Sequence, residues 1–141
     1  MRLRKIVAAT SAAAAAVLVL PATQAQAAAY PTCNGVKNVT YGGGAYSVVQ
    51  PYHTGSGSRD CIMGYGAQSS AVRKLQDHLI NCYDFSGADG IYGRQTEAAV
   101  EAVQRREGAS VDGEYGPETR KEMLWSVVRS GGGYSCRYPG I

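Results

Sequence analysis

Few side chains in this chain of 141 residues could support hydrolytic chemistry. A zinc peptidase needs several histidine and carboxylate ligands together with an open coordination position, and the sequence has two histidines, His53 and His78. A cysteine peptidase needs a free thiolate beside a histidine, whereas all four cysteines of an exported chain can pair in disulfides. These residues therefore predict neither a metal site nor a catalytic thiol.

The acidic residues do not suggest an active site either. A muramidase needs two carboxylates across a cleft, one of them in an apolar pocket that raises its pKa, but the glutamates fall mostly on polar helix faces. Residues 84–90 are faintly similar to a calcium loop, yet Ala88 stands where an oxygen ligand is required. We therefore expect a protein that is not an enzyme and that uses no metal or cofactor.

The most specific feature of the sequence is a repeat at an offset of 23 residues. Residues 89–96 are Asp-Gly-Ile-Tyr-Gly-Arg-Gln-Thr and residues 112–119 are Asp-Gly-Glu-Tyr-Gly-Pro-Glu-Thr, so five of eight positions are identical. The Asp-Gly pair favours a tight turn, because the carboxylate accepts hydrogen bonds from nearby backbone N–H groups and glycine tolerates positive φ. The tyrosine is expected to pack inward, and the second glycine to cap a helix. The repeat thus predicts two similar turns, each leading into a helix.

Hydrophobic spacing predicts the helices that these turns connect. A first helix over 70–82, capped by Ser69 or Ser70, and a second over 94–106 follow from apolar residues three and four positions apart. A third should begin at Pro117, since proline suits a first helical position, and run to residue 130. The apolar faces of the three helices hold Val72, Leu75, Leu79, Cys82, Ala99, Val100, Val103, Met123, Leu124, Val127 and Val128. We expect an all-α fold, a compact three-helix bundle over 67–130.

The remaining segments carry no helical period. Residues 28–66 are rich in Gly, Tyr and Ser, and although 39–41 and 46–49 could form short strands, we interpret the segment as an irregular arm held by disulfides. Residues 131–141 are expected to form a C-terminal tail.

Four cysteines allow three pairings. We expect Cys33 to pair with Cys136 and Cys61 with Cys82, because the loop before the first helix is long enough to fold back along it. The pairing of Cys33 with Cys61 and of Cys82 with Cys136 is also sterically possible.

The first 27 residues have the pattern of a secretory signal peptide. Basic residues near the start precede an apolar run over 12–20 and the small-residue site Ala-Gln-Ala at 25–27. Cleavage after Ala27 leaves eleven Lys and Arg against 11 Asp and Glu, a balance that argues against nucleic acid or membrane partners. We expect a secreted monomer that is extracellular or associated with the cell wall.

The helical and repeat motifs together resemble a known family. The pattern Val72-x-x-Leu75-Gln76-x-x-Leu79, the two Asp-Gly-x-Tyr-Gly-x-x-Thr copies, and Val103-Gln104 between them are similar to the three-helix peptidoglycan-binding domain appended to bacterial cell-wall hydrolases. The resemblance covers about residues 66–128. Two departures are Val103, where the family usually has an aromatic residue, and tyrosine in place of the common phenylalanine of the repeats. The Ala-rich leader and Gly-rich arm look similar to small exported proteins of actinobacteria.

The resemblance implies non-catalytic binding of peptidoglycan. Aromatic rings can pack against sugars or stem methyl groups, while amides and a guanidinium supply directional hydrogen bonds. The candidate ligand residues are Gln76, Asp89, Tyr92, Gln104, Asp112, Tyr115 and Arg120. Turn formation is the commoner role of the Asp-Gly positions, and Trp125 is more often a core residue than a ligand. Two other functions stay open: a disulfide-stapled inhibitor of a secreted enzyme, and a subunit that targets a separate hydrolase to the wall.

Overall fold

A computed structural model describes residues 29–138, so the predicted signal peptide over 1–27 lies outside the described residues. Four strands form one antiparallel sheet, in which their spatial order is the same as their order along the chain. Three helices lie between the second and third strands along the chain. The elements are β1 (Gly35–Tyr41), β2 (Tyr46–Tyr52), α1 (Ser70–Tyr83), α2 (Arg94–Glu107), α3 (Pro117–Glu122), β3 (Trp125–Arg129) and β4 (Tyr134–Arg137).

The first two helices were correctly predicted. Each has 14 residues, and the Ser69 hydroxyl accepts a hydrogen bond from the Val72 N–H, which confirms Ser69 as the N-cap of α1. Leu75 and Leu79 are fully buried on the predicted apolar face. No helix in the described part of the chain is long and apolar enough to cross a membrane.

The prediction of an all-α bundle is wrong, and the error begins in the third helix. That helix starts at Pro117 as expected but ends at Glu122, and Met123 is already extended with φ −79° and ψ 153°. Met123, Trp125 and Val127 are all fully buried, so the apolar residues alternate along a strand instead of following a helical period. Aromatic and β-branched residues favour this extended conformation. Residues predicted to extend α3 therefore form β3.

The arm is also more regular than predicted. Its glycines at 42–44 all have positive φ and form the turn of a hairpin in which β1 pairs with β2 from Tyr41–Tyr46 to Gly35–Tyr52. Within the segment expected to be a C-terminal tail, β4 pairs with β3. Both sequence segments lack a helical period, and glycines of both fall in the short turns that connect paired strands.

The core joins the sheet to the helices, and Trp125 is its largest fully buried side chain. The Trp125 ring is completely buried, makes edge contacts with His78 and Tyr115, and donates from Nε1 to the Arg120 carbonyl oxygen at 2.9 Å. This confirms the interpretation of Trp125 as a core residue. Its packing holds the end of α3 against the sheet, which fixes the second turn motif described below.

The predicted disulfide pairing is wrong. Cys33 is bonded to Cys61 and Cys82 to Cys136, the alternative that the sequence left open. We call residues 29–66, which contain the hairpin of β1 and β2, the hairpin region. The first bond joins the segments before β1 and after β2 within this region, and the second joins the last turn of α1 to β4. The sheet brings Cys136 beside α1, a position that a helical bundle followed by a loose tail did not predict.

Candidate functional site

The first copy of the repeat forms a turn organised by the buried side chain of Gln76. Its Oε1 accepts hydrogen bonds from the N–H groups of Asp89 and Gly90 at 3.0 and 2.8 Å. Its Nε2 lies 2.9 to 3.0 Å from the Asp89 carboxylate, the Ile91 carbonyl and the Thr96 hydroxyl. One glutamine amide on α1 thus holds the turn that leads into α2.

The second copy repeats this arrangement on the next helix pair. Gln104 Oε1 accepts from the N–H groups of Asp112 and Gly113 at 3.1 and 2.9 Å. Its Nε2 lies 2.7 to 3.0 Å from the Asp112 carboxylate, the Glu114 carbonyl and the Thr119 hydroxyl. The internal repeat of the sequence is therefore a structural repeat, in which a helix glutamine fixes the following turn.

Each of the two aspartates accepts a hydrogen bond from a backbone N–H within its own turn. Asp89 Oδ1 accepts from the Ile91 N–H and Asp112 Oδ1 from the Glu114 N–H, both at 2.9 Å. These hydrogen bonds, with that from Gln76, lower the pKa of Asp89 because they stabilise the carboxylate form. The structure therefore places Gln76, Asp89, Gln104 and Asp112 in networks that build the turns.

The two repeat tyrosines are completely buried. Tyr92 Oη donates to the Gly113 carbonyl at 2.7 Å, whereas the Tyr115 hydroxyl has no hydrogen-bond partner among residues 29–138. Burial raises the pKa of both hydroxyls, because it disfavours the charged phenolate. Neither ring is presented at the surface as a flat platform for a sugar.

The segment between the hairpin and α1 runs between the two turns and pairs with both. Met63 and Tyr115 exchange backbone hydrogen bonds of 2.9 and 2.8 Å, and the Tyr92 N–H donates to the Ala67 carbonyl at 2.8 Å. On the other side, the Ile62 N–H donates to the Pro31 carbonyl at 2.9 Å. The start of the chain's described part is thus held beside the second turn.

This pairing leaves a surface groove between the hairpin region and the second turn. It consists of two adjoining hollows of about 340 and 420 Å³ that share Ile62, Asp112 and Glu114. Tyr30 lies in the first hollow and Tyr65 in the second, with 50% and 64% of their surfaces exposed. Because of this exposure, both rings can contact a bound molecule.

The charged side chains of the groove are carboxylates. Asp112 and Glu114 lie where the hollows meet, Glu118 lines the first hollow, and Glu97 lines the second. Glu118 also accepts hydrogen bonds from the backbone N–H and the hydroxyl of Ser110 at 3.0 and 3.1 Å. Ionised carboxylates only accept hydrogen bonds, so the groove suits hydroxyl, amide N–H and amino groups.

The sequence-predicted ligand residues are only partly brought together. Gln104, Asp112 and Tyr115 line the first hollow of the groove, although the Gln104 and Tyr115 side chains are buried beneath it. Gln76 and Asp89 belong to the first turn, on the other side of α2 along the chain. Their part in binding remains a prediction.

Arg120 lies apart from the groove. It is 5% exposed, and its Nη2 donates to the Asp60 carboxylate at 2.7 Å. It lines a separate polar depression together with Lys37 and Arg59.

Sequence reasoning missed the groove residues contributed by the hairpin region, above all Tyr30, Ile62 and Tyr65. No signal of spacing or type could have found them, because their place depends on backbone pairing with distant turns, as between Met63 and Tyr115, which are 52 residues apart in the sequence. Glu114 and Glu118 fall within the recognised repeat, but there they occupied the positions that differ between its two copies.

The imidazole of His78 and the sulfurs of the cysteines form bonds within the fold. Both ring nitrogens of His78 are hydrogen-bonded to the backbone, Nε2 to the Val49 carbonyl at 2.7 Å and Nδ1 to the Ser126 N–H at 3.2 Å. All four cysteines are in disulfides. Within residues 29–138, no three His, Cys, Asp or Glu side chains are grouped so that they could hold a metal ion.

Comparison with known proteins supports the family suggested by the motifs. Residues 68–123, which include α1, both turns and α3, match the family described as "Putative peptidoglycan binding domain". The N-acetylmuramoyl-L-alanine amidase CwlL of Bacillus licheniformis is 44% identical over 72 residues, 48% of this chain and 20% of that protein. A second Bacillus licheniformis protein, named "Probable N-acetylmuramoyl-L-alanine amidase", is 42% identical over 81 residues, 55% of this chain and 23% of its own length.

The chain therefore spans about a fifth of the length of these two relatives. No solved structure matches it significantly.

Proposed function

We propose that this chain binds bacterial peptidoglycan without cleaving it, through the groove between its hairpin region and its second turn. The observation that carries the proposal is the match of residues 68–123 to the peptidoglycan-binding family, in the same segment that forms one wall of the groove. The similarity to wall amidases is confined to a small part of their length. This supports a binding role for the shared part.

The groove offers the contacts that a glycopeptide requires. The exposed ring of Tyr30, and the face of the Tyr65 ring that is turned away from the Arg94 guanidinium, provide flat apolar surfaces for the sugar rings, with a polar hydroxyl at each edge. Ile62, shared by both hollows, provides an apolar surface for the methyl groups of a peptide stem. Polar groups around these three side chains supply the directional hydrogen bonds.

The charge of the groove further defines the part of the ligand that enters it. Asp112, Glu114 and Glu118 repel a stem carboxylate, but they accept hydrogen bonds from sugar hydroxyls and amides and attract a free amino group. We therefore propose that glycan hydroxyls and the amino-bearing part of a stem occupy the groove, while stem carboxylates lie outside it.

The lack of turnover is proposed from the engagement of the cysteine thiols and of His78 in the fold. Every cysteine thiol is consumed in a disulfide, and the ring nitrogens of His78 are hydrogen-bonded inside the fold. Secretion through the leader at 1–27 is part of the same proposal, since disulfides persist in oxidising compartments and the ligand is extracellular.

Sedimentation with purified wall sacculi tests the proposal. The oxidised protein should pellet with sacculi and release neither reducing sugar nor new amino groups. A secreted enzyme inhibitor would stay in the supernatant, which would contradict wall binding, and released fragments would contradict the absence of catalysis.

Matched tyrosine variants test the location. Tyr30→Ala and Tyr65→Ala should each weaken sedimentation by roughly five- to tenfold, in line with losing one aromatic contact of about 1 to 1.5 kcal/mol. Tyr134→Ala is the control, because Tyr134 is 66% exposed but lies on β4 and lines neither hollow. Equal effects of all three changes would exclude the groove as the binding site.

A further inference from the structure

A second depression of about 290 Å³ lies beside the groove and has the opposite charge. It is lined by Lys37 of β1, by residues 57–60 and by Arg120 of α3. Asp60 and Arg120 are close in the chain to the groove residues Ile62 and Thr119. The depression therefore lies close to the groove, although the two share no lining residue.

Three cations and a single carboxylate line this depression. Asp60 is held by Arg120, at 2.7 Å between Oδ1 and Nη2. Neither Lys37 nor Arg59 forms an ion pair with a carboxylate among residues 29–138. Among residues 29–138, the side chains that line the depression thus carry two more positive than negative charges, in a chain whose predicted mature form is neutral.

The cations are held in place by neutral partners. Lys37 Nζ lies 5.4 Å from the centre of the Tyr52 ring, and Arg59 Nη1 donates to Gln50 Oε1 at 2.8 Å. Burial and the charge of Arg120 lower the pKa of Arg59, because a second cation nearby disfavours its charged form. Cations that line the same depression repel one another, and an anion bound among them would relieve this repulsion.

We propose that this depression binds an oxyanion, a carboxylate or phosphate group carried by the cell wall. The proposal rests on the proposed function for the source of the anion, but its chemistry is independent of it. Guanidinium groups bind either anion bidentately, and the lysine adds a point charge at the rim. The almost wholly polar lining suits a small hydrophilic group and not an apolar chain.

The depression complements the groove. Four carboxylates line the groove and should repel anions, whereas the excess of cations in the depression should attract them. A wall fragment with an amino group and an acidic group can place one in each. Both sites use the hairpin region, so the segment outside the matched residues 68–123 provides Lys37 and Arg59 to the depression.

Nuclear magnetic resonance titration with inorganic phosphate and with acetate, at constant ionic strength set by chloride, tests the site directly. We expect saturable shifts of the backbone amides of Gly57, Ser58 and Asp60. Lys37→Gln and Arg59→Gln should each weaken binding of these anions at least threefold. Asp60→Asn should strengthen binding of these anions several-fold, because it removes the carboxylate that competes for the cations. If the pair of Asp60 and Arg120 served only the fold, this substitution would not strengthen anion binding.

Arg105→Gln is the matched control, since it removes the same charge from an exposed ion pair on α2. Shifts that fail to saturate, or equal effects of Lys37→Gln and Arg105→Gln, would overturn the proposal. Because Arg120 is buried beside Asp60, thermal unfolding must first show that Asp60→Asn is folded. If it is not, the loss of anion binding in Lys37→Gln and Arg59→Gln tests the proposal.

Sacculi distinguish the source of the anion and separate the two proposals. Acid extraction of phosphate polymers should lower binding if phosphate is the source and leave it unchanged if stem carboxylates are. Saturable phosphate binding by a protein that does not pellet with sacculi would support the anion site and contradict the proposed function. A protein that pellets with sacculi but shows no saturable anion binding would support the proposed function and contradict the anion site.

Discussion

The hydroxyl of Tyr92 in the first turn donates a hydrogen bond of 2.7 Å to the backbone carbonyl of Gly113 in the second. This bond joins the two copies of the repeat across α2. The equivalent tyrosine of the second copy, Tyr115, is equally buried, but its hydroxyl has no hydrogen-bond partner among the described residues. The sequence repeat is thus symmetric in its turns and asymmetric in its tyrosines.

This asymmetry predicts different results for the same substitution. Tyr92→Phe should lower the free energy of unfolding by about 1 to 2 kcal/mol, because it leaves the buried Gly113 carbonyl without its donor. Tyr115→Phe should change stability by less than about 0.5 kcal/mol or increase it, because it removes a buried hydroxyl that has no described partner. Denaturant unfolding of the two variants measures both values. Equal losses would show that the Tyr115 hydroxyl is hydrogen-bonded in solution.

The glutamines of the two helices should matter more than either tyrosine. Gln104→Leu leaves the N–H groups of Asp112 and Gly113 without their shared acceptor, and should lower the free energy of unfolding by about 2 to 4 kcal/mol. Gln76→Leu should have a similar effect on the first turn. Gln95→Leu is the control, since Gln95 is exposed on α2. Small changes in all three variants would contradict the structural role of the glutamine networks.

His78 predicts how stability depends on pH. Its Nδ1 accepts from the Ser126 N–H, so the ring hydrogen is on Nε2 and is donated to the Val49 carbonyl. Burial, helped by the charge of Lys74 and opposed by the Val49 hydrogen bond and Asp77, lowers the pKa of His78 from 6.5 to about 4. A proton on Nδ1 would face the Ser126 N–H, so the fold requires the neutral ring.

The unfolded chain therefore binds a proton at His78 at a higher pH than the folded chain does. The stabilisation from the neutral ring is complete above about pH 6.5, declines as the pH falls, and is lost by about pH 4, a total of about 3 kcal/mol. Urea unfolding between pH 7 and 4 measures this slope. His78→Gln should lower stability at pH 7 and flatten the dependence; an unchanged slope would show that other groups cause it.

The sequence was informative where local rules decide the structure. Hydrophobic spacing and the Ser69 cap defined α1, and the Asp-Gly repeat defined both turns. The prediction from sequence failed where pairing with distant segments determines the secondary structure. Val127 follows both a helical and an alternating pattern, and only the pairing of β3 with β2 and β4 selects the strand.

Among the predicted ligand residues, Asp112 of the repeat and Gln104 of the helix motif line the groove, because turn chemistry local in the chain places them together. Their part in binding is still a prediction. The tyrosines of the repeat were harder to interpret, since an inward and an outward ring have the same sequence pattern. Tyr30 and Tyr65 gave no sequence signal, because the hairpin region reaches the groove only through backbone hydrogen bonds to the repeats.

The two disulfides should differ in what they support. In the loop-entropy description, removing Cys33–Cys61, with a separation of 28 residues, or Cys82–Cys136, with a separation of 54, costs about 4 kcal/mol in either case. Cys33 and Cys61 directly adjoin the groove residues Thr32 and Ile62, whereas neither Cys82 nor Cys136 lines the groove.

Replacing Cys33 and Cys61 by Ala should therefore weaken sacculus sedimentation as well as thermal stability, because it releases one wall of the groove. Replacing Cys82 and Cys136 by Ala should lower the unfolding temperature by a similar amount but leave sedimentation close to that of the parent, provided both are compared well below their unfolding temperatures. Circular dichroism at the binding temperature verifies that each variant is folded. If the second replacement abolishes binding in a folded protein while the first does not, peptidoglycan is bound near β4 and the groove is not the site.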